Sequence, residues 1–298
     1  MSTQDRDADG SALRQWLRDH EIGLLVAPSV VWFLLFLVVP LLVILAYSFF
    51  TYSNFSVEYI LTVDPWLEGV FTETVFFVFL RTLTIGAVVV VVTLAFGYPL
   101  AYYLRFYVSD RGGILLLLFL IIPFWTSAVI RTVAWILILS NSGVINQTLL
   151  ALNLVDEPVS ALLFSPFSQL VGYLQNYVVF MAAPIYISLS QIDEDLIDAS
   201  KTLRGGRLAT FRHVVWPLSL PGVVIGSIFV FVLSVGNFTV PQFLSGGEAT
   251  ITTLIYLSVN QGLNYPQAAA LSITLLLVIL VIVYAMTRIV DITEIGRV

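Results

Sequence analysis

The apolar residues of this chain occur in long blocks rather than at the spacing of a soluble amphipathic fold. Runs of about 20 apolar residues match the thickness of a lipid bilayer, whereas elements buried in a soluble core are usually shorter. The blocks predict six transmembrane helices near residues 24–50, 76–104, 113–139, 166–189, 218–240 and 267–288. Turn residues such as Arg111-Gly112-Gly113 and Asn141-Ser142-Gly143 separate successive blocks. We therefore expect an all-α, multi-pass protein of the cell membrane.

Composition supports this prediction and narrows the possible functions. Of the 298 residues, 59% are hydrophobic and 11% are charged, whereas about a quarter of the residues in ordinary soluble domains are charged. The chain has no cysteine, and its two histidines, His20 and His213, lie far apart. A disulfide framework and a thiolate metal site are therefore impossible. We expect no metal, no catalytic residue and no nucleic-acid partner.

The distribution of Lys and Arg predicts the orientation, because these residues are retained on the cytoplasmic side of transmembrane helices. Eleven of the thirteen lie on one side of the predicted bundle, and the opposite loops 51–75, 140–165 and 241–266 contain none. Those loops carry seven acidic residues: Glu58, Asp64, Glu68, Glu73, Asp156, Glu157 and Glu248. We therefore expect both termini and loop 190–217 in the cytoplasm.

This topology divides the chain into four parts. They are a cytoplasmic segment 1–22, a first transmembrane helix 23–50, a five-helix core 76–290 that includes loop 190–217, and a cytoplasmic tail 291–298.

Two arginines, Arg81 and Arg131, lie within predicted spans, where a charge at the bilayer centre costs about 2.5–3.5 kcal/mol. Arg81 is close enough to the outer end for its side chain to reach the interface. Arg131 lies deeper, and either a structural pairing or a place along a transport pathway would explain it. Aromatic and amide side chains can stack on amines or bond to them, so they are further pathway candidates. The candidates are Phe124, Trp125, Arg131, Asn176, Tyr177, Asn237 and Phe238.

Loop 190–217 has the pattern of two short helices. Asp193-Glu194-Asp195 opens the first, where carboxylates suit the positive end of the helix dipole, and Gly205-Gly206 suits a left-handed cap at its end. Residues 207–215 form the second, and Pro217 is expected to separate it from span five. The apolar face of the first helix either packs against this chain or docks into a soluble partner.

The run Asp198-Ala199-Ser200-Lys201-Thr202-Leu203-Arg204-Gly205-Gly206, followed by Trp216-Pro217-Leu218-Ser219-Leu220-Pro221-Gly222, resembles the EAA loop of binding-protein-dependent ABC permeases. Asp198 stands where that family has Glu, and Arg204 stands at its glycine position. The resemblance implies a type I ABC importer permease fold in which residues 193–206 insert into an ATPase subunit. The implied coupling residues are Asp193, Asp198, Ala199, Ser200, Leu203, Arg204, Gly205 and Gly206.

Further segments resemble one branch of that family, the first permease subunit of spermidine/putrescine importers. They are Pro123-Phe124-Trp125-Thr126-Ser127-Ala128-Val129-Ile130-Arg131-Thr132, Gly143-Val144-Ile145-Asn146 and Phe180-Met181-Ala182-Ala183-Pro184-Ile185-Tyr186, although the branch commonly has proline at the position of Val179. The resemblance implies a polyamine substrate. It also implies a second homologous permease subunit, an extracytoplasmic substrate-binding protein and two ATPase subunits.

Energy must come from a partner, because the chain has no phosphate-binding loop and its only lysine, Lys201, follows no such glycine pattern. We expect no cofactor in this chain, with ATP and Mg bound by the ATPase subunits. An ABC permease for another small solute remains open, as does an ion-coupled secondary transporter. The second alternative is disfavoured because all nineteen acidic residues lie in predicted loops or termini, whereas ion coupling commonly uses buried carboxylates.

Overall fold

The structure is a computed structural model that describes residues 21–202 and 206–289. The α-helices are α1 (Glu21–Phe33), α2 (Val39–Tyr47), α3 (Asp64–Leu67), α4 (Glu73–Phe106), α5 (Asp110–Ile121), α6 (Ala128–Leu139), α7 (Val144–Ala151), α8 (Pro166–Ser190), α9 (Glu194–Thr202), α10 (Arg207–Thr210), α11 (Trp216–Val235), α12 (Thr239–Leu244), α13 (Ile251–Asn260) and α14 (Tyr265–Ile289). Strands β1 (Phe50–Ser53) and β2 (Ser56–Leu61) form an antiparallel hairpin between α2 and α3.

Six helical segments of the described chain are long and apolar enough to cross a membrane, which confirms the predicted number. They are Val26–Tyr47, Glu73–Phe106, Ala128–Ala151, Pro166–Ser190, Arg207–Val235 and Tyr265–Arg288. The first has no buried residue and lies at the edge of the bundle, where α2 packs against α14. Most of the predicted segment 1–22 lies outside the described residues, and all of the predicted tail 291–298 does.

The third predicted span, 113–139, is not one continuous helix. A 3-10 turn over Ile122–Trp125 follows α5, and Thr126 is extended before α6 begins. Pro123 causes the interruption because it has no N–H for the helical ladder and its ring collides with the preceding turn. By length and hydropathy, Ala128–Ala151 is the candidate crossing segment, although it too is interrupted between α6 and α7, and α5 forms a shorter apolar helix before it.

Two membrane helices contain a π turn immediately before a proline. The turns cover Leu34–Val38 and Phe211–Val215, and each ends two residues before its proline, Pro40 or Pro217. Proline has no N–H to donate to the helical ladder, and the wider π turn before it accommodates this missing bond without ending the helix. The expected break at Pro217 is therefore wrong, because α10, the π turn and α11 form one helical segment, Arg207–Val235.

Helix α8 lies at the centre of the bundle and packs against both α4 and α11. Its side chains Met181, Ala182 and Ile185 are completely buried in the main hydrophobic core. The hydroxyls of Tyr98 on α4 and Ser219 on α11 lie 2.9 Å apart and join the two outer helices of this trio by a hydrogen bond. These three helices form the framework on which the other elements are placed.

Glycines allow the backbones of α8 and α11 to approach closely. A Cβ atom on Gly222 would lie 2.5 Å from the carbonyl oxygen of Pro184, and a Cβ on Gly226 would lie 3.0 Å from that of Met181. A Cβ on Gly97 of α4 would likewise lie 3.0 Å from Cγ of Met181. Small residues four apart on one helix are the usual means of close packing between membrane helices.

We expect Gly222→Ala to destabilise the protein by about 1–3 kcal/mol, because the added methyl group would force backbone atoms of α8 to move. Thermal unfolding of the purified protein in detergent measures the effect. Gly206→Ala is the matched control, since its added Cβ would meet no atom within 4 Å. Equal unfolding temperatures for the two variants would contradict the close-packing argument.

Candidate functional site

One arginine holds the interruption between α5 and α6. The carbonyl oxygen of Pro123 accepts a hydrogen bond from Arg131 Nη1 at 2.6 Å. The same oxygen accepts bonds from the hydroxyl and the backbone N–H of Thr126, at 2.7 and 3.1 Å. A broken helix leaves carbonyl groups without their regular partners, and lipid cannot supply donors. Arg131 therefore stabilises the backbone at the break.

Arg131 also connects this break to α8. Its Nη2 atom donates to Asn176 Oδ1 at 3.1 Å, and Asn176 Nδ2 donates to the carbonyl of Gly172 at 2.9 Å. The guanidinium carbon lies 4.7 Å from the centre of the Phe124 ring, within the range of a cation–π contact. None of the described carboxylates forms an ion pair with Arg131. Its charge is held by an amide, a carbonyl and an aromatic ring.

Tyr177, the residue after Asn176 on α8, belongs to a second group of hydrogen-bonded side chains. The Tyr177 hydroxyl donates to the carbonyl of Leu233 at 2.9 Å and accepts from Asn237 Nδ2 at 2.6 Å. Asn237 Oδ1 accepts from the backbone N–H of Val240 at 2.8 Å, and its carbonyl accepts from the Thr252 hydroxyl at 2.9 Å. Asn237 thereby connects the end of α11 to α8, α12 and α13.

Phe180 joins the two groups. Its ring centre lies 5.2 Å from that of Phe124 and 6.4 Å from that of Tyr177. Sequence reasoning missed Phe180, although its position one turn after Asn176 places both on the same side of α8. It also missed the Pro123 carbonyl, because a backbone acceptor leaves no mark in the sequence. We refer to Phe124, Arg131, Asn176, Tyr177, Phe180 and Asn237 as the central cluster.

Two pathway candidates lie outside the central cluster. Trp125 is 85% exposed on the 3-10 turn, facing away from the core. Phe238 stacks on Tyr256 of α13, with ring centres 5.0 Å apart and an angle of 12° between the rings. The structure thus brings together five of the seven candidates and places these two elsewhere.

Loop 190–217 has an inward face and an outward face. Ile192 is buried in the main core, and the Ser200 hydroxyl lies 2.9 Å from that of Thr210 on α10, within hydrogen-bond distance. Leu196 and Leu208 are 49% and 79% exposed. The apolar face is expected either to pack against this chain or to dock into a soluble partner. One part of it packs against this chain, and the exposed part is free to meet a partner.

The predicted coupling residues are described in part. Asp193 Oδ1 accepts a hydrogen bond from the backbone N–H of Asp195 at 3.0 Å and so caps the start of α9, while Asp198 and Ala199 lie on its outward face. Gly206 is extended, with φ −66° and ψ 166°, and is the N-cap of α10, so its expected left-handed conformation is wrong. Three predicted residues, Leu203, Arg204 and Gly205, lie outside the described residues.

Arg81 forms an ion pair with Glu248 in the loop between α12 and α13. The two side chains are 40% and 38% exposed, and they lie at the end of the bundle opposite loop 190–217. The expectation that Arg81 only extends toward the interface is thus incomplete, because its charge has a specific carboxylate partner.

A six-span bundle with tightly packed central helices is the fold of a multi-pass membrane protein, and its partly buried polar cluster and exposed loop face suit a permease. The chain is 31% identical over 259 residues to the spermidine/putrescine transport system permease protein PotB of Escherichia coli K12, covering 85% of this chain and 92% of that protein. It is 30% identical over 278 residues to the inner membrane ABC transporter permease protein YdcU of the same strain, covering 88% and 86%. The chain belongs to the family of ABC transporter permease proteins that contains PotB.

Solved structures agree with this assignment at the level of the fold. A bacterial ABC transporter that imports the acidic polysaccharide alginate matches with a TM-score of 0.69 and 19% identity, covering 94% of this chain and 98% of that one. The alginate transporter in complex with its pentasaccharide-bound periplasmic protein matches with a TM-score of 0.71 and 19% identity, covering 92% and 95%. The predicted ABC importer permease fold is confirmed. No family model matches the chain.

We expect Arg131→Gln to loosen the break between α5 and α6, because the Pro123 carbonyl would lose a charged donor. Amide exchange at Thr126, whose N–H bonds that carbonyl, should become about tenfold faster, as expected for the loss of one hydrogen bond to a charged group. Hydrogen-exchange mass spectrometry of the purified protein measures it. Arg288→Gln is the control, since Arg288 bonds Tyr284 on its own helix. Unchanged exchange at Thr126 in Arg131→Gln would exclude this role.

Proposed function

We propose that the chain forms half of the translocation path of an ATP-driven importer for a polyamine such as spermidine or putrescine. The observation that carries the proposal is the 31% identity to PotB, which extends over 85% of the chain. That relative is named as a spermidine/putrescine permease, and the central cluster has the chemistry that such a cationic substrate needs.

The central cluster already holds a cation that belongs to the protein. The guanidinium of Arg131 lies against the Phe124 ring, the Asn176 amide oxygen and the Pro123 carbonyl. Aromatic faces and neutral oxygens of this kind also bind alkylammonium groups. A substrate ammonium would compete with Arg131 for Asn176 and Phe124, so that displacement of Arg131 accompanies its passage.

The charge of the loops supports the same substrate class. Loops 51–75, 140–165 and 241–266 contain seven acidic residues and no Lys or Arg. If these loops face the outside, as the cationic residues on the opposite side predict, their potential raises the local concentration of cations and repels anions.

We infer three kinds of partner. A second homologous permease subunit is supported by the 30% identity over 120 residues to the spermidine/putrescine permease protein PotC of Escherichia coli, covering 40% of this chain and 45% of that protein. An extracytoplasmic substrate-binding protein is supported by the alginate transporter complex. Two ATPase subunits, which would bind ATP and Mg, are proposed to dock on residues 193–206, whose described part exposes Leu196, Asp198 and Ala199.

The continuous helix from loop 190–217 into the core offers a route for coupling. Arg207–Val235 is not broken at Pro217, so a force applied to the loop by the ATPase would move α11 as a lever. Asn237 lies two residues beyond the far end of α11 and bonds Tyr177 on α8. Approach of the two ATPase subunits would thus change the packing at the central cluster and alternate its access between the two sides.

We expect single cysteines at Leu196 and Ala199 on the outward face of α9 to crosslink to the ATPase subunit in membranes containing the assembled transporter. The chain has no native cysteine, so each variant carries one reactive thiol. Ile192→Cys is the matched control, because Ile192 is buried in the core of the same chain. Crosslinking of Leu196→Cys and Ala199→Cys only within the permease pair, detected on immunoblots, would contradict the coupling role.

We expect the complex reconstituted in proteoliposomes to hydrolyse ATP faster when its binding protein is loaded with spermidine, and to accumulate labelled spermidine. An ATPase subunit with a disabled phosphate loop should abolish accumulation, since this chain has no nucleotide site. Stimulation by another solute without any by spermidine would contradict the polyamine substrate. Uptake by this chain alone, driven by an ion gradient, would contradict the ATP-driven mechanism.

A further inference from the structure

A separate cavity of about 250 Å³ opens between α4 and α8 at the end of the bundle opposite loop 190–217. Its polar lining includes Arg81, Gln169 and Glu248, and its apolar lining includes Ile85 and Leu170. The central cluster does not include any of these residues. The lining thus combines a charged, hydrogen-bonding end with an apolar wall.

The loop that carries Glu248 is held in a defined shape. Gly246 and Gly247 have φ values of +74° and +99°, which favour glycine, and a Cβ on Gly246 would lie 2.9 Å from the Phe164 carbonyl oxygen. The buried Ser245 hydroxyl accepts from the N–H of Gly247 at 3.2 Å and donates to the Glu248 carbonyl at 3.3 Å. The Glu248 carboxylate is therefore positioned by the backbone that precedes it.

Gln169 has an unsatisfied acceptor at this carboxylate. The residue is 4% exposed, and its Nε2 atom donates to Glu248 Oε2 at 3.5 Å. Its Oε1 atom is buried and has no hydrogen-bond partner. Exchanging the positions of Oε1 and Nε2 would not satisfy the group either, because the amide oxygen, an acceptor, would then face the Glu248 carboxylate, which is also an acceptor. The site therefore has more acceptors than the protein's own donors satisfy.

We propose that this cavity binds a primary ammonium group of an alkylamine, which takes the place of the Arg81 guanidinium at Glu248. An ammonium has three donors, enough to bond Glu248 and, once the Gln169 side chain turns its buried Oε1 toward the cavity, that atom as well, whereas its alkyl chain would lie against Ile85 and Leu170. The proposal rests on the polyamine substrate proposed above and adds a first binding position at the mouth of the path.

The face of α8 that lines the cavity continues toward the central cluster, through tyrosines that are buried in the core. Gln169, Tyr173 and Tyr177 follow one another at successive helical turns, and Tyr173 lines the cavity. The ring centres of Tyr173 and Tyr177 lie 6.0 Å apart, with 28° between their planes. An amine that moved inward from Glu248 along this face would meet these two rings before Asn176 and Asn237, and the change in helix packing between the two access states would have to open its way.

The test is spermidine uptake by assembled complexes in proteoliposomes, with KM and maximal rate measured separately. Glu248→Gln and Gln169→Leu should each raise KM about tenfold, since the first removes the acceptor's charge and the second removes a neutral acceptor for the charged donor. Arg81→Gln should lower KM, because it removes the competing cation. Glu157→Gln is the matched control, since Glu157 is an exposed loop carboxylate outside the cavity, so its loss removes the same loop charge and should raise KM much less than Glu248→Gln does.

The opposite effects of Arg81→Gln and Glu248→Gln distinguish a binding site from a structural ion pair. Equal impairment by both variants would overturn the proposal, because loss of a purely structural pair would damage the complex from either side. Unchanged KM in Glu248→Gln and Gln169→Leu would also overturn it while leaving the polyamine importer intact. Absence of spermidine uptake by the unmodified complex would instead refute the proposed function itself.

Discussion

The close approach of α8 to α4 and α11 is the constraint on which the rest of the structure depends. Lipid is as apolar as the side chains, so burial of apolar area drives these helices together far less than it would in water. Dense van der Waals contact between the helices therefore has to contribute more of the stability. Gly222 and Gly226 permit that contact, and Met181 fills the space between the three helices. Because α8 is fixed on both sides, the polar side chains along it occupy defined positions.

That rigid centre lets the neighbouring elements be irregular. The turn at Pro123 is a break in a membrane helix, and such breaks persist only where protein groups satisfy the exposed backbone. Arg131 reaches from α6 back to Pro123 and across to Asn176 on α8. Desolvation of a guanidinium is costly, so Arg131 depends on both of these contacts. Because one side chain makes both, the shape of the break is coupled to the position of α8. A movement of either element would change the other.

The number of spans and most of the central cluster could be predicted from the sequence, because lipid exposure imposes long apolar blocks in which polar residues stand out. The interrupted third span and the continuous helix through Pro217 could not, since proline can either break a helix or follow a π turn, depending on its neighbours. The partnership of Arg81 with Glu248 was also hidden, because 167 positions separate them and the loop that joins them in space is shaped by Gly246 and Gly247.

Two arginines of this chain mark two environments for a cation along α8. Arg81 faces a carboxylate that is partly exposed, whereas Arg131 faces an amide, a carbonyl and an aromatic ring in the interior. A charged acceptor binds a cation more strongly than neutral ones do, which suits capture at a mouth. Neutral acceptors deeper in the bundle avoid holding the cation too tightly, and a transported solute must be able to leave each position that it occupies. The order of acceptors, charged first and neutral next, therefore combines capture at the mouth with release from the interior, while the direction of movement depends on the ATP-driven change in access.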